Sequence, residues 1–153
     1  MTKRWAPHRE TVLVVDDDEL VRWSAAEGLK ESGYSVEVAA NAREALQRCR
    51  DAAVALLDHD LRDVDGLALV DTLRRRHPRC AIVLMTADPT PELHREAGER
   101  GVVRILEKPF SLETLLAAFR DVGKHSCVPA RPAAGSGGEA GDGPWETGAP
   151  HGV

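Results

Sequence analysis

No apolar run in the 153 residues approaches the roughly 18 that a membrane-spanning helix needs. The opening MTKRWAPHRE is polar and basic with no apolar core behind it, so a secretory signal is not expected and a cytoplasmic protein is. Cysteine is sparse: Cys49, Cys80 and Cys127 are odd in number, far apart and without Cys-x-x-Cys spacing. That excludes a zinc ribbon or a dithiol redox pair and leaves small thiols that pack. Basic charge is not in excess either. A formal net charge of -5 offers no basic stripe for a nucleic-acid backbone, so no direct nucleic-acid contact is expected.

What remains is a chain 42% hydrophobic and 29% charged, enough for one globular core. Five apolar runs read as strands: TVLVV at 11–15, YSVEVA at 34–39, VALL at 54–57, CAIVLM at 80–85 and VVRIL at 102–106. Helical patterns follow each of them, at 19–32, 41–50, 66–77, 91–100 and 111–124. Leu20, Trp23, Ala26 and Leu29 fall at helical spacing in the first, which predicts Trp23 in the core or at its rim. Asn41 and Ser111 are expected to cap helices, Gly33 to close the first and Pro78 to stop the third. Arg74, Arg75 and Arg76 read as a solvated helix end, and the fourth helix, apolar only at Leu93 and Ala97, as exposed and weakly held.

Five strands alternating with five helices predict an α/β fold, a doubly wound five-stranded parallel sheet in the flavodoxin-like order 2-1-3-4-5. The expected domain covers residues 11–124, between a flexible start at 1–10 and a disordered tail at 125–153. That tail is Gly-, Pro- and Ala-rich, with Trp145 alone in it, and cannot bury enough surface to fold as an output domain.

In such a sheet ligands bind where the strand order reverses, beyond the carboxyl ends of the first and third strands. Asp16 and Asp17 leave the first strand and Asp58 leaves the third; Thr86 ends the fourth and Lys108 follows the fifth. Three carboxylates in one crevice repel one another unless a cation joins them. Oxygen donors with room for water suit Mg²⁺, which recruits phosphate oxygens for the rest of its shell. Lys108 adds a mobile positive charge and Thr86 a hydroxyl donor, both fitted to phosphoryl oxygens. The chemistry expected of this set is Mg²⁺-assisted phosphoryl transfer to Asp58, followed by hydrolysis.

VLVVDDD at 12–18, LLDHDLRDVDG at 56–66, VLMTA at 83–87 and EKPF at 107–110 together resemble the response-regulator receiver domain of two-component signalling. The resemblance covers residues 10–124 and is greatest with the nitrogen-regulation and nitrogen-fixation branches. It implies that Asp58 is the phosphoacceptor, Asp17 a direct ligand of Mg²⁺, Asp16 an acid acting on the metal through water, and the Asp60 backbone carbonyl a further ligand. Thr86 and Lys108 would contact the phosphoryl group, and the Lys108–Pro109 bond would be cis.

The chain departs from the family at three places. Arg62 stands where a proline is frequent, four residues after the phosphoacceptor. Ile105 stands at the switch position, where the family usually carries a Tyr or Phe that follows the threonine inward. Asp60 and Asp88 flank the site as acids and are expected to alter the lifetime of the phosphorylated state.

The resemblance further implies a sensor histidine kinase or a histidine phosphotransfer protein as partner. A downstream protein or a second copy would bind on the face of the fourth helix, fifth strand and fifth helix, where His94 and Arg104 are candidates; no turnover of a free substrate is expected. Two other readings remain. One is a module of the same fold that signals without phosphate, to which Ile105 lends weight. The other is a haloacid-dehalogenase-like phosphohydrolase, suggested by Asp58-His59-Asp60, although that class places its nucleophile after the first strand.

Overall fold

A computed structural model describes residues 10–126 of the chain. The expected flexible start, the tail with Trp145, and Cys127 lie outside the described residues. Strands β1 (Thr11–Val15), β2 (Ser35–Ala39), β3 (Ala52–Asp58), β4 (Ala81–Thr86) and β5 (Arg104–Glu107) alternate with helices α1 (Glu19–Glu31), α2 (Ala42–Arg48), α3 (Gly66–Arg76), α4 (Pro91–Glu99) and α5 (Leu112–Ser126). All pairings are parallel and the order is β2-β1-β3-β4-β5, as expected. Helix α5 runs to Ser126, two residues past its expected end at 124.

The burial of each strand follows its place in the sheet. In β1, β3 and β4 side chains on both faces are covered by helices, so these strands read as unbroken apolar runs. Strands β2 and β5 are the edges and keep exposed positions, including Glu37 and Arg104. The core divides into two layers. Leu57, Leu69, Leu73 and Leu84 belong to one; Leu56, Met85, Leu115 and Phe119 belong to the other, where Tyr34 meets Phe119 edge-on at 5.4 Å.

Local chemistry sets the helix starts. Asn41 accepts the Glu44 N–H at 2.9 Å while the Glu44 carboxylate accepts the Ala40 N–H at 2.8 Å, two donors satisfied reciprocally near the start of α2. Thr90 caps α4, which buries only Leu93 and Ala97, and Gly33 turns the chain after α1 at φ 101°.

Trp23 and Leu20 correct the expectation for α1. They are 60% and 71% exposed, while Ala25, Ala26 and Leu29 form the buried face. A step of three residues turns about 300° at 3.6 residues per turn, so a series taken every third residue drifts about 60° each time. The steps from Leu20 to Leu29 therefore walk half-way round the helix. Leu20 and Trp23 face away from Leu29.

Cys80 lies in the first layer, 2% exposed, and burial pushes its thiol up to about 12. Because the thiolate is the reactive form, Cys80 in the native chain should resist iodoacetamide at neutral pH and react only after denaturation. Peptide mass mapping of both states checks this, and native labelling at Cys80 would contradict it.

Candidate functional site

The carboxyl ends of β1, β3 and β4 open on one side of the sheet, and the backbone keeps them in step. The His59 N–H donates to the Met85 carbonyl at 2.8 Å and the Lys108 N–H to the Thr86 carbonyl at 2.8 Å, extending the β3–β4–β5 ladder past the strands. Those two bonds bring Asp58, Thr86 and Lys108 to one level. Asp16, just after β1, is level with them because Val15 lies opposite Leu57 in the β1–β3 pairing, and its N–H is held on the other side by the Ala39 carbonyl of β2 at 3.2 Å.

Asp16, Asp17 and Asp58 each present a carboxylate oxygen within 4.8 Å of the others. Asp16 is fully buried and Asp58 nearly so, at 0% and 2% exposure. Lys108 compensates them, its ammonium 2.8 Å from Asp16 Oδ2 and 3.3 Å from Asp58 Oδ1. Burial raises the Asp16 carboxyl above the ordinary carboxylate range, against the pull of Lys108 and of the Asp18 N–H. Burial disfavours the Lys108 ammonium too, but the hydrogen bond to Asp16 and the charges of both acids hold its pKa above the usual lysine value. The pair is locked together by charge.

The two oxygens of Asp58 differ. Oδ1 accepts the Asp60 N–H at 2.9 Å and faces Lys108, while Oδ2 takes no hydrogen bond from the described residues. One oxygen is held and the other is unengaged among the described residues. Thr86 is buried beside them, its hydroxyl oxygen accepting the Asp88 N–H at 3.1 Å, which leaves its own hydrogen free to donate. The third acid of the DDD run serves the helix instead of the pocket, since Asp18 accepts the Leu20 and Val21 N–H groups as the cap of α1.

The donor set fits a hard, oxygen-seeking cation. Three carboxylates at this spacing, with Asp17 half-buried at the mouth, suit Mg²⁺ with part of its water shell retained. The flanking acids stay outside the pocket: Asp60 and Asp88 are both exposed. Ile105 is apart from the cluster, half-buried against the first core layer and in register with Leu84. The Lys108–Pro109 bond is cis.

Two sets of side-chain contacts and one groove were not foreseen from the sequence. His59 places Nδ1 3.3 Å from Asp60 and Nε2 3.8 Å from Asp65. Arg62 reaches Asp17, with Nε 3.4 Å from Oδ2. A groove of about 730 Å³ runs beside Lys108 between α1 and α5, and Leu20, Trp23 and Leu112, all exposed, line it. Only the apolar character of these residues could have signalled that groove, and it reads equally as core.

Comparison with known proteins adds to this geometry. The family model for the response regulator receiver domain matches residues 12–120. A cyclic di-GMP phosphodiesterase of Thermotoga maritima is 32% identical over 105 residues, which span 69% of this chain and 28% of that protein. The DNA-binding transcriptional regulator NtrC of Escherichia coli is 32% identical over 111 residues, 71% of this chain and 24% of NtrC. The chain thus matches about a quarter of the length of these curated relatives. Among solved structures, the chemotaxis protein CheY4 of Vibrio cholerae superposes with a TM-score of 0.71 at 32% identity, covering 74% of this chain and 98% of that one. With a family match over most of the sequence, the same strand order and an acid cluster at the sheet's reversal point, the chain belongs to the response regulator receiver domain family.

Proposed function

We propose that the chain accepts a phosphoryl group on Asp58 Oδ2 from a phosphohistidine of a sensor kinase or histidine phosphotransfer protein, and signals through protein contacts. The observation that carries this reading is the asymmetry of Asp58: Oδ1 held by Lys108 and the Asp60 N–H, Oδ2 unengaged among the described residues. In the transfer, Oδ2 forms the new O–P bond as the donor's N–P bond breaks, and the leaving imidazole takes up a proton. Lys108 exchanges its hold on the two carboxylates for one on the incoming equatorial oxygens, and the Thr86 hydroxyl donates to another. Asp16, Asp17, Asp58 and the Asp60 backbone carbonyl would hold Mg²⁺, which when bound neutralises the acids and the phosphoryl oxygens together.

Water attack on phosphorus then breaks the O–P bond, releases phosphate and restores Asp58. No free substrate is turned over beyond this self-dephosphorylation. Incubation of the chain with a small phosphodonor should add one phosphoryl mass in Mg²⁺ and none in EDTA. No mass gain with any donor, in Mg²⁺, would overturn the proposal.

Asp60 and Asp88 lie within two residues of Asp58 and Thr86, and both are exposed. Their charges oppose a phosphoryl dianion on Asp58, screened in part by the water both side chains face. Asn at both positions should lengthen the half-life of the phosphorylated chain by about threefold, followed by loss of phosphoryl mass with time. An unchanged half-life would remove these residues from the account.

Receiver domains interact with histidine kinases and with partner or output proteins. The proposed output surface here is the α4–β5–α5 face, where an Arg104–Asp121 ion pair joins β5 to α5 and His94 is exposed; a downstream protein or a second copy would read it, in the cytoplasm. Ile105, packed against the core where the family usually carries an aromatic, favours a second reading in which this face is recognised without phosphate. Full signalling by an Asp58→Asn chain would select it.

A further inference from the structure

Asp17 has a cationic partner of its own. Among the described residues Lys108 pairs with Asp16 and Asp58, whereas the cation beside Asp17 is Arg62, in the connection between β3 and α3. Arg62 holds Asp17 Oδ2 twice, through Nε at 3.4 Å and through its backbone N–H at 3.2 Å. The side chain is 86% exposed and packs in no core, so it is held by charge and can swing out into water. Asp17 is 20% exposed, at the mouth of the acid cluster.

We propose that Arg62 is the counter-ion of Asp17 in the metal-free protein, and that its displacement is part of Mg²⁺ binding, so that Arg62 lowers the affinity of the site for the metal. The inference rests on the reading of Asp17 as a metal ligand. A guanidinium is permanently charged. It therefore competes for the Asp17 oxygen and repels a dication that arrives beside it. Its exposure makes the effect modest and dependent on salt.

The two bonds to Asp17 are separable. Any substitution other than proline keeps the backbone N–H, and with it the tie between the loop and Asp17. A change at the side chain therefore alters charge while that tie persists. If Arg62 served mainly to prop the loop, removing its side chain would loosen Asp17 and weaken metal binding. If it acts as a competing cation, removal tightens binding and reversal of charge tightens it further.

The test is calorimetric titration of the whole chain with Mg²⁺ at low ionic strength, on the parent, Arg62→Gln and Arg62→Glu, with Asp17→Asn as the control for the site. The dissociation constant should fall about threefold in Arg62→Gln and about tenfold in Arg62→Glu, with both differences shrinking as salt rises. Equal or weaker binding in the two Arg62 variants, while Asp17→Asn abolishes it, overturns this inference and leaves the metal site standing. Absence of any Asp17-dependent binding in the parent overturns both.

Discussion

Asp58→Asn should abolish stable phosphoryl uptake, with intact mass showing less than about one part in a hundred of the parent's gain under the same donor and Mg²⁺. A carboxamide lacks the anionic oxygen that the proposed attack on phosphorus needs, and among the described residues the neighbouring carboxylates are already engaged: Asp16 is held by Lys108 and the Asp18 N–H, Asp17 by Arg62. The mass gained by the parent should be removed by hydroxylamine, as expected of an acyl phosphate. The variant should fold. Its amide oxygen can still accept the Asp60 N–H that Oδ1 accepts at 2.9 Å, so its melting temperature should stay within a few degrees of the parent's. Retained, hydroxylamine-sensitive uptake in the variant would place the acceptor elsewhere.

Gly66→Ala should cost about 3 kcal/mol and lower the melting temperature by roughly 10 °C. A Cβ at Gly66 would stand 2.6 Å from His59 Cα, 2.8 Å from the His59 carbonyl oxygen and 3.0 Å from the Asp58 carbonyl oxygen. These are backbone atoms of the residues that leave β3, tied by the Gly66 N–H to His59 carbonyl bond of 3.1 Å and the His59 N–H to Met85 carbonyl bond of 2.8 Å. Neither side can step back without moving Asp58, the proposed phosphoacceptor, so phosphoryl uptake should fall together with stability. Gly28→Ala is the contrast. There the new Cβ meets Leu112 Cδ1 at 2.8 Å, the far end of a flexible side chain that is 41% exposed, and alanine is the better helix former. Its cost should stay under about 1 kcal/mol, as chemical denaturation of both variants would show. Equal stability of the two would remove the close approach at Gly66 from the reasons α3 begins where it does.

Much of this molecule was legible in one dimension. Strand runs with buried character on both faces, Asn41 as a cap and Pro78 after α3 lay within a few residues of their places, and so did the acids at strand ends. Boundaries were less legible, because hydrogen-bond ladders extend past the apolar run: β3 starts at Ala52 and ends on Asp58 itself, and β5 is Arg104–Glu107 rather than 102–106. Trp23 and Leu20 were misplaced because a stripe at every third residue drifts round a helix, and apolar type alone says nothing of which direction a neighbour covers.

The sequence by itself determined the strand and helix alternation, and through it the parallel sheet whose reversal point collects Asp16, Asp17 and Asp58. Those are consequences of period, chain order and handedness, which need no knowledge of distant contacts. Tertiary structure decided how the charges divide: Lys108 between Asp16 and Asp58, Arg62 on Asp17, Asp18 spent on the α1 cap, and one oxygen of Asp58 left unengaged among the described residues. These pairings join residues up to 92 positions apart, and which carboxylate a cation reaches depends on distances of an ångström or so that no spacing in the chain encodes.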